Sequence, residues 1–285
     1  MKDRICLVTG ANSGIGLETA RGLAAQGATV LMTARSRVKG EQAVADVQQT
    51  TGNPRVELLS LDLADLASVR AAASAVTARF DQLHVLINNA GLMLSDRRLT
   101  TDGFEMTFGV NHLGHFALTL LLLPLIKASA PARIVNVSSI AHQAVRKGLK
   151  LEDLMYEQRP YSMMGAYGAS KLANVHFTRA LARRLAGSGV TVNAVHPGTV
   201  GSRIASDGDV DGLFTMLYQF ARPFMMSTKK GARTSLHVAT SEEGGRISGA
   251  YFERSRQARI SQAARDDEAA QRLWEISEKL TDIYI

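Results

Sequence analysis

Tyr167 and Lys171 stand four residues apart in the segment YGASK, where the residue pattern predicts the start of a helix. This spacing places a phenol and an ammonium group on one helix face, within reach of a shared ligand. A tyrosine loses its proton at about pH 10, and a nearby cation lowers that pKa because it favours the phenolate. The pair could therefore exchange a proton with a carbonyl or alcohol oxygen, although the same spacing also occurs on helices without catalytic roles.

A glycine-rich turn follows the first apolar run of the chain. Residues 9–16 read TGANSGIG and lead into a predicted helix. Glycines at a strand-to-helix turn let backbone N–H groups approach a pyrophosphate, which the helix N-terminus also stabilises. The spacing GxxxGxG differs from the common GxGxxG fingerprint, and many α/β proteins tighten a first turn with glycine. We expect a dinucleotide site here, formed by Gly10, Asn12, Ser13, Gly14, Ile15 and Gly16.

The end of the second apolar run indicates which dinucleotide binds. Enzymes that use NAD place an acidic residue about twenty residues after the glycines, where it binds the ribose 2′-hydroxyl, whereas enzymes that use NADP tend to place arginine there. In this chain Ala34 occupies that position, and Arg35 and Arg37 follow it. A guanidinium group binds a phosphate through two hydrogen bonds, so the sequence favours NADP(H) over NAD(H). The alternative is that these arginines are solvated side chains at a helix entry.

Apolar runs and amphipathic stretches alternate along the whole chain. The runs are continuous rather than alternating, as expected for parallel strands that helices cover on both faces. This pattern predicts one doubly wound, Rossmann-type α/β domain over residues 1–285 with a substrate lid at about 200–230. The predicted strands are Ile5–Val8, Thr29–Thr33, Val56–Leu61, Val85–Ile87, Ile134–Val137 and Val190–Val195, and the predicted helices cover 14–26, 38–50, 65–80, 102–128, 166–186 and 260–280.

Composition narrows the class of protein. The net charge is +7, but the basic residues are scattered rather than arranged in a stripe with aromatic residues, so we expect no nucleic-acid partner. The single cysteine, Cys6, lies in an apolar run and reads as a buried thiol in a reducing compartment. The N-terminal residues do not resemble a signal peptide, and the longest apolar run, Phe116–Ile126, is shorter than a membrane span. We expect a cytoplasmic protein without a transmembrane segment.

Taken together, the motifs resemble those of the short-chain dehydrogenase/reductase family, in the family's order and across nearly the whole chain. The finer likeness is to the retinol-dehydrogenase-like branch, through AHQ after the paired serines, SKLANVHFTRALARRL and the closing SGAYFERSRQARIS. The matching family motifs are TGANSGIG at 9–16, Asp62-Leu63, Asn88-Asn89-Ala90-Gly91, Asn111 in FGVNHLGHF, Ser138-Ser139 after RIVNV, YGASK, and HPGTVGS at 196–202.

The resemblance implies a role for each matching residue. Ser139 would bind the substrate oxygen, Tyr167 would exchange a proton with it, and Lys171 would bind the nicotinamide ribose and lower the tyrosine pKa. Asn111 would hold a water that links Lys171 to solvent. Asp62 with Leu63 would contact the adenine, and Asn89, Ala90 and Gly91 would line the adenosine ribose. Pro197, Gly198, Val200 and Ser202 would hold the carboxamide and phosphates, with serine at position 202 where threonine is common. The resemblance also suggests a homodimer or homotetramer.

Other polar residues are expected to be structural. Ser138 and Asn88 are interpreted as supports of the fold rather than ligand contacts. His112, His115, His142 and His196 lack the spacing of a metal site and are expected to be structural or to lie behind the site, so no metal is predicted.

Residues 213–226 carry an apolar stripe after the sixth predicted strand, beside the edge where α/β proteins bind ligands. As a lid this segment would suit an apolar substrate, such as a retinoid, a steroid or a long-chain aldehyde. It could instead pack on the domain or a second subunit, or make weak contact with a membrane surface. Two other functions stay open: a binding protein that senses NADP(H) with little turnover, and a reductase of the same fold that acts on a double bond.

Overall fold

A mostly parallel sheet of eight strands organises the computed structural model, which describes residues 1–200 and 226–284. The strand order is β3-β2-β1-β4-β5-β6-β7-β8, and only the last pair is antiparallel. The order reverses between β1 and β4, which is the mark of a doubly wound sheet. The predicted fold class is therefore confirmed. The strands are β1 Ile5–Val8, β2 Thr29–Ala34, β3 Val56–Ser60, β4 Val85–Asn88, β5 Ala132–Val137, β6 Val190–His196, β7 Tyr251–Glu253 and β8 Arg256–Ala258.

Helices cover both faces of the sheet. Successive residues of β1 show why its sequence is apolar throughout: Leu7 faces one core, whereas Cys6 and Val8 face the other. Burial raises the pKa of the Cys6 thiol to about 12, so this cysteine is the buried thiol that the sequence predicted. The helices are α1 Gly14–Ala24, α2 Arg37–Thr51, α3 Leu66–Arg79, α4 Met106–Phe108, α5 Gly114–Ala128, α6 Met163–Arg184, α7 Thr228–Thr240, α8 Glu242–Arg246 and α9 Asp267–Thr281.

The helix predicted over 102–128 differs most from the prediction. It begins at Met106, where Glu105 caps it by accepting hydrogen bonds from two backbone N–H groups. A π turn, Gly109–Leu113, then joins α4 to α5. The whole stretch Met106–Ala128 is long and apolar enough to cross a membrane, but 78% of its most apolar window is buried inside the protein. Here it serves as a central helix of the core.

The C-terminal region contains elements that the apolar pattern did not predict. Helix α7 packs along α1, and β7 adds a parallel strand to β6. Helix α9, by contrast, was predicted over 260–280; it lies against α6 and places Trp274 in contact with Phe116 and Phe177. Within residues 1–200 and 226–284, the connections also include short 3₁₀ turns at Ile140–Ala144, Leu151–Asp153 and Ala263–Arg265.

Candidate active site

The candidate site residues gather at the edge formed by the carboxyl ends of the parallel strands. Each group follows a different strand or lies on the helices that cross this edge, which is where open α/β sheets bind ligands. Ser202 lies outside the described residues, as does residue range 213–225 of the expected lid. The glycine turn follows β1, Arg35 and Arg37 follow β2, Asp62 and Leu63 follow β3, Asn89, Ala90 and Gly91 follow β4, Ser139 follows β5, and Pro197, Gly198 and Val200 follow β6.

The glycine turn brings the backbone into close contact with the segment after β4. Gly10 has a positive φ of 62°, and a Cβ on it would lie 2.9 Å from the Cβ of Ala90. A Cβ on Gly16 would lie 2.4 Å from Nδ2 of Asn89 and equally close to the Gly10 carbonyl oxygen. Side chains at these positions would fill the turn or push the two segments apart. The glycines thus leave backbone, rather than side chain, facing the edge of the site.

The N-terminus of α1 is suited to an anionic ligand. Ser13 is the N-cap residue, but its side chain caps no backbone N–H group, and no acidic residue lies in the first turn. The first-turn N–H groups therefore remain available, and the helix dipole favours negative charge beside them. Together with the backbone left bare by Gly10 and Gly16, this arrangement fits the pyrophosphate of a dinucleotide.

Thr9 ties the glycine turn to the residues after β4. Its fully buried hydroxyl accepts hydrogen bonds from the backbone N–H groups of Asn89 and Ala90, at 2.8 and 2.9 Å. Asn89 in turn donates through Nδ2 to the Thr9 carbonyl at 2.8 Å. The two loops that would flank an adenosine are held as one unit by these bonds.

The two arginines after β2 differ in their surroundings. Both are exposed, but Arg37 forms an ion pair with Glu41 at 2.7 Å, one turn along α2. No such pair engages Arg35 within the residues described, which makes it the better placed to meet an added anion. Asp62, after the next strand, accepts a hydrogen bond from the Ala64 N–H group at 2.9 Å, so its carboxylate is held at the end of β3.

Tyr167 and Ser139 meet because α6 packs directly on the turn that follows β5. A Cβ on Gly168 would lie 3.0 Å from the Ala141 carbonyl oxygen, so glycine permits this close contact. Ser139 begins that turn and lies beside the Tyr167 phenol, where its hydroxyl favours the phenolate and lowers the phenol pKa. Burial has the larger and opposite effect, so the net result is a raised pKa for Tyr167.

Lys171 lies one turn after Tyr167 and is almost fully buried. Its Nζ lies 5.5 Å from the centre of the Tyr167 ring and donates to the Val137 carbonyl oxygen at 3.2 Å. Burial lowers the lysine pKa to about 8. The sequence predicts that the lysine lowers the tyrosine pKa, but in this structure desolvation has the largest effect on the pKa of both groups.

Asn111 lies in the π turn and completes the group. Its Nδ2 donates to the Leu92 carbonyl and to the Ser170 hydroxyl, at 2.9 and 3.0 Å, and its Oδ1 accepts from the Leu92 N–H group at 2.8 Å. Oδ1 and the Lys171 Nζ both come within 3.3 Å of the position that a Cβ on Gly91 would take. Gly91, which the resemblance placed at the adenosine ribose, therefore also lies against Asn111 and Lys171.

The chain beyond β6 runs back onto the glycine turn. Val200 is buried against Ile15, and Met226 pairs with Val200 across a parallel bridge. The Met226 N–H group donates to the Thr199 carbonyl at 3.0 Å. The two ends that flank the undescribed segment thus lie side by side next to α1.

Polar residues expected to be structural do have structural contacts. The Ser138 hydroxyl donates to the Lys171 carbonyl at 2.7 Å, and Asn88 donates to Thr119 and Asn136 between neighbouring elements. Burial lowers the pKa of His112 to about 3, so this ring is neutral, and it bonds the Ser277 hydroxyl. Within residues 1–200 and 226–284, no group of three or more His, Cys, Asp or Glu side chains could hold a metal ion.

Comparison with known proteins identifies the family. A family model described as enoyl-(acyl carrier protein) reductase matches residues 10–221. Mouse retinol dehydrogenase 12 is 48% identical over 280 residues, which cover 98% of this chain and 87% of that protein. The chain belongs to the short-chain dehydrogenase/reductase family. Members of this family are oxidoreductases that bind a nicotinamide cofactor and act on alcohol or carbonyl groups.

Solved protein structures share this fold. A crystal structure of a protein from Mycobacterium paratuberculosis is 40% identical, with a TM-score of 0.79, and the match covers 99% of this chain and 94% of that one. A short-chain dehydrogenase from Burkholderia cenocepacia, solved in complex with NADP, is 29% identical with a TM-score of 0.70, over 92% and 98% of the two chains.

Two residues that support this short-chain dehydrogenase/reductase site, Thr9 and Ser170, were not predicted from the sequence, and His115 was expected to be structural or to lie behind the site. All three hold other site residues in place, and a sequence pattern indicates such supporting contacts less clearly than it indicates side chains that could react or bind a ligand. The four-residue spacing of Asn111 and His115 in NHLGHF was a usable signal, since it places both on one helix face.

Proposed function

We propose that this protein is an NADP(H)-dependent reductase or dehydrogenase of an apolar carbonyl or alcohol, with Tyr167 as the proton donor and acceptor. The observation that carries the proposal is the arrangement of Ser139, Tyr167 and Lys171 on one edge of the sheet. The serine hydroxyl flanks the phenol, and the lysine lies one helical turn away. A protein that only binds a nucleotide needs the glycine turn but not this set.

The residues divide the chemistry between them. A bound nicotinamide cofactor would donate the hydride in reduction and accept it in oxidation. Ser139 hydrogen-bonds the substrate oxygen and stabilises the negative charge that develops on it during reduction. Tyr167, whose raised pKa keeps its phenol protonated at neutral pH, donates its proton to that oxygen. The Lys171 ammonium then stabilises the phenolate, and Asn111 positions a water that returns the proton.

Arg35 supports a preference for NADP(H). Ala34 leaves no carboxylate at the end of β2 to bind a ribose 2′-hydroxyl or to repel a 2′-phosphate. The exposed Arg35 guanidinium is free to pair with that phosphate, and the relative from Burkholderia was solved with NADP.

Two exposed apolar side chains beside the catalytic residues support the proposal of an apolar substrate. Ile140 directly follows Ser139, Met164 lies one turn before Tyr167 in α6, and both side chains are about half exposed. Exposed apolar side chains beside a polar catalytic group suit a substrate with a long apolar body. The likeness to mouse retinol dehydrogenase 12 supports a retinoid or similar alcohol or aldehyde.

A double-bond reductase is the second candidate, since the matching family model carries the description of an enoyl reductase. We favour the carbonyl reaction because Ser139 lies beside Tyr167, where it can bind a carbonyl oxygen. The same contact argues against a sensor protein with little turnover.

The test follows NADPH absorbance with a panel of retinal, long-chain aldehydes and ketones, and an enoyl thioester, with NADH as the cofactor control. We expect turnover with the aldehydes and a loss of about 10³-fold or more in Tyr167→Phe, with NADPH binding retained. Tyr284→Phe, which removes an exposed phenol away from the site, is the matched control. Equal activity in both variants would refute the mechanism, and turnover of the enoyl thioester alone would favour the second candidate.

The remaining expectations concern the protein in the cell. We propose that residues 1–285 act as one domain, in the cytoplasm, as a homodimer or homotetramer, with 213–226 as a substrate lid. Light scattering on the purified protein and fractionation of expressing cells test assembly and localisation.

A further inference from the structure

His115 bridges two parts of the site that are otherwise separate in the sequence. Its Nε2 lies 2.8 Å from the Thr9 hydroxyl, at the start of the glycine turn. Its Nδ1 lies 3.2 Å from the Asn111 backbone carbonyl, in the π turn. All three residues are at least 98% buried.

The hydrogen bonds of the Thr9 hydroxyl show which ring nitrogen of His115 carries the proton. The Thr9 hydroxyl has one hydrogen and two lone pairs. It accepts from the Asn89 and Ala90 N–H groups, so its hydrogen is left to donate. The nearest acceptor is Nε2 of His115 at 2.8 Å, compared with 3.4 Å for the Ile87 carbonyl. The ring proton is therefore on Nδ1, where it donates to the Asn111 carbonyl.

A neutral ring is the only state that satisfies both ends. An imidazolium would present a second donor to Thr9, whose two lone pairs already accept hydrogen bonds. Burial lowers the pKa of His115 to about 3, and the charge of Lys171 acts in the same direction. The bridge therefore does not titrate at the pH at which the enzyme works.

Each end of the bridge holds a different part of the reaction. Thr9 fixes the two backbone N–H groups after β4, beside the glycine turn that fits the dinucleotide. Asn111 bonds the Ser170 hydroxyl, which donates to the Tyr167 carbonyl at 2.8 Å. We propose that His115 is a positioning residue. Its two hydrogen bonds set the position of the Asn111 π turn, and through it that of α6 with Tyr167, relative to the glycine turn. This inference rests on the proposed function for its effect on catalysis, but not for its effect on structure.

His112 provides a matched control. It is also a buried, neutral histidine, three residues earlier, but its Nε2 bonds Ser277 on α9 at 3.0 Å. Its ring packs among Phe108, Phe116 and Phe177. Loss of either histidine removes a buried hydrogen bond, but of the two only His115 joins Thr9, at the start of the glycine turn, to Asn111, which also bonds Leu92 directly.

The first experiment compares His115→Phe with His112→Phe by hydrogen exchange, with and without NADPH. In the wild-type protein and in His112→Phe, we expect NADPH to protect both 88–93 and 106–113. In His115→Phe, we expect NADPH to protect both segments less, with the larger loss at 106–113, where only the Leu92–Asn111 bonds to 88–93 remain. If NADPH protects 106–113 equally in both variants, His115 does not set the position of the Asn111 π turn and the inference is wrong.

The second experiment uses kinetics. We expect His115→Phe to lower kcat roughly tenfold or more, to weaken NADPH binding by a similar factor, and to raise the solvent deuterium isotope effect on kcat. His112→Phe changes each value less than about twofold. In His115→Gln the side-chain amide takes the position of Nε2, where its oxygen accepts from Thr9. No donor then stands at the position of Nδ1 to bond the Asn111 carbonyl, so we expect kcat to fall while NADPH affinity is retained. Equal kinetic losses in His115→Phe and His112→Phe would overturn the inference. If the wild-type protein reduces no aldehyde, the proposed function fails, while hydrogen exchange still decides the role of His115.

Discussion

The Lys171 Nζ lies 5.5 Å from the centre of the Tyr167 ring and shares the Val137 carbonyl oxygen with Asn174. The ammonium group is thus held by a backbone carbonyl in a buried position beside the phenol. Burial lowers the lysine pKa to about 8, which means that folding disfavours the ammonium form relative to the unfolded chain, although the group still carries its charge at neutral pH. The same burial that brings the charge close to the phenol therefore costs stability.

Lys171→Met should stabilise the protein without cofactor while removing activity. The lysine pKa falls from 10.5 to about 8 on folding, so below pH 8 the folded state carries a charge that the unfolded chain solvates better. The cost is on the order of 3 kcal/mol, is complete below about pH 8 and disappears as pH rises towards 10.5. Asn174 still satisfies the Val137 carbonyl after the substitution. Thermal unfolding at pH 7 and pH 10 measures this; a lower Tm for the variant at pH 7 would contradict it.

Ser139→Ala and Ser138→Ala distinguish a catalytic serine from a structural one. We expect Ser139→Ala to lower kcat by about 10²-fold, because a donor to the developing oxyanion is lost. Ser138→Ala removes the bond to the Lys171 carbonyl, so it lowers stability by about 1 kcal/mol and affects kcat much less. Steady-state kinetics and urea unfolding on both variants test the pair. Similar kcat losses in the two would show that the serines do not differ in role.

Arg35→Ala should weaken NADPH binding by about tenfold or more and leave NADH binding nearly unchanged, because only NADPH carries the 2′-phosphate. Arg37→Ala is the matched control, since its guanidinium already pairs with Glu41 on an exposed helix surface. We expect a smaller effect there. Titration of protein fluorescence with each cofactor gives the dissociation constants, and equal weakening of NADPH and NADH would argue against the assigned cofactor preference.

Acid should destabilise the fold through its buried histidines. Burial lowers the pKa of His112 and His115 to about 3 and that of His176 to about 4, whereas the unfolded value is about 6.5. Below pH 6.5 the unfolded chain binds more protons, so stability present above that pH is lost as pH falls towards 4, by up to about 1.4 kcal/mol per pH unit for each ring. Urea unfolding at pH 7 and pH 5 measures the loss. His112→Phe should reduce the pH dependence, and an unchanged slope in this variant would contradict the assignment.

The sequence predicted those parts of the fold that depend on local pattern. Parallel strands buried on both faces are continuous apolar runs, and six of them were located within one or two residues. Helix α7 was missed because it packs on α1 through small residues; a Cβ on Gly22 would lie 2.5 Å from the Leu236 side chain, and such contact leaves little apolar pattern. Strand β7 is three residues long and exists through its pairing with β6.

Some features of the candidate site could likewise be predicted from local sequence, whereas others depend on the tertiary structure. Residues that contact a ligand through side-chain chemistry, such as Tyr167 and Lys171, have a recognisable type and spacing. The π turn around Asn111 and the bonds of Thr9 and His115 depend on which loops meet in space. The raised pKa of Tyr167 also required the structure, because it depends on burial rather than on the nearest charge in the sequence.

The chain leaves the described fold at Val200 and rejoins it at Met226, and these two residues are paired beside Ile15. Both residues pack in one apolar cluster with Ile15, which lies in the first turn of α1 directly after the glycine turn. A change at Val200 or Met226 would therefore act on the packing of α1 as well as on the chain that follows β6.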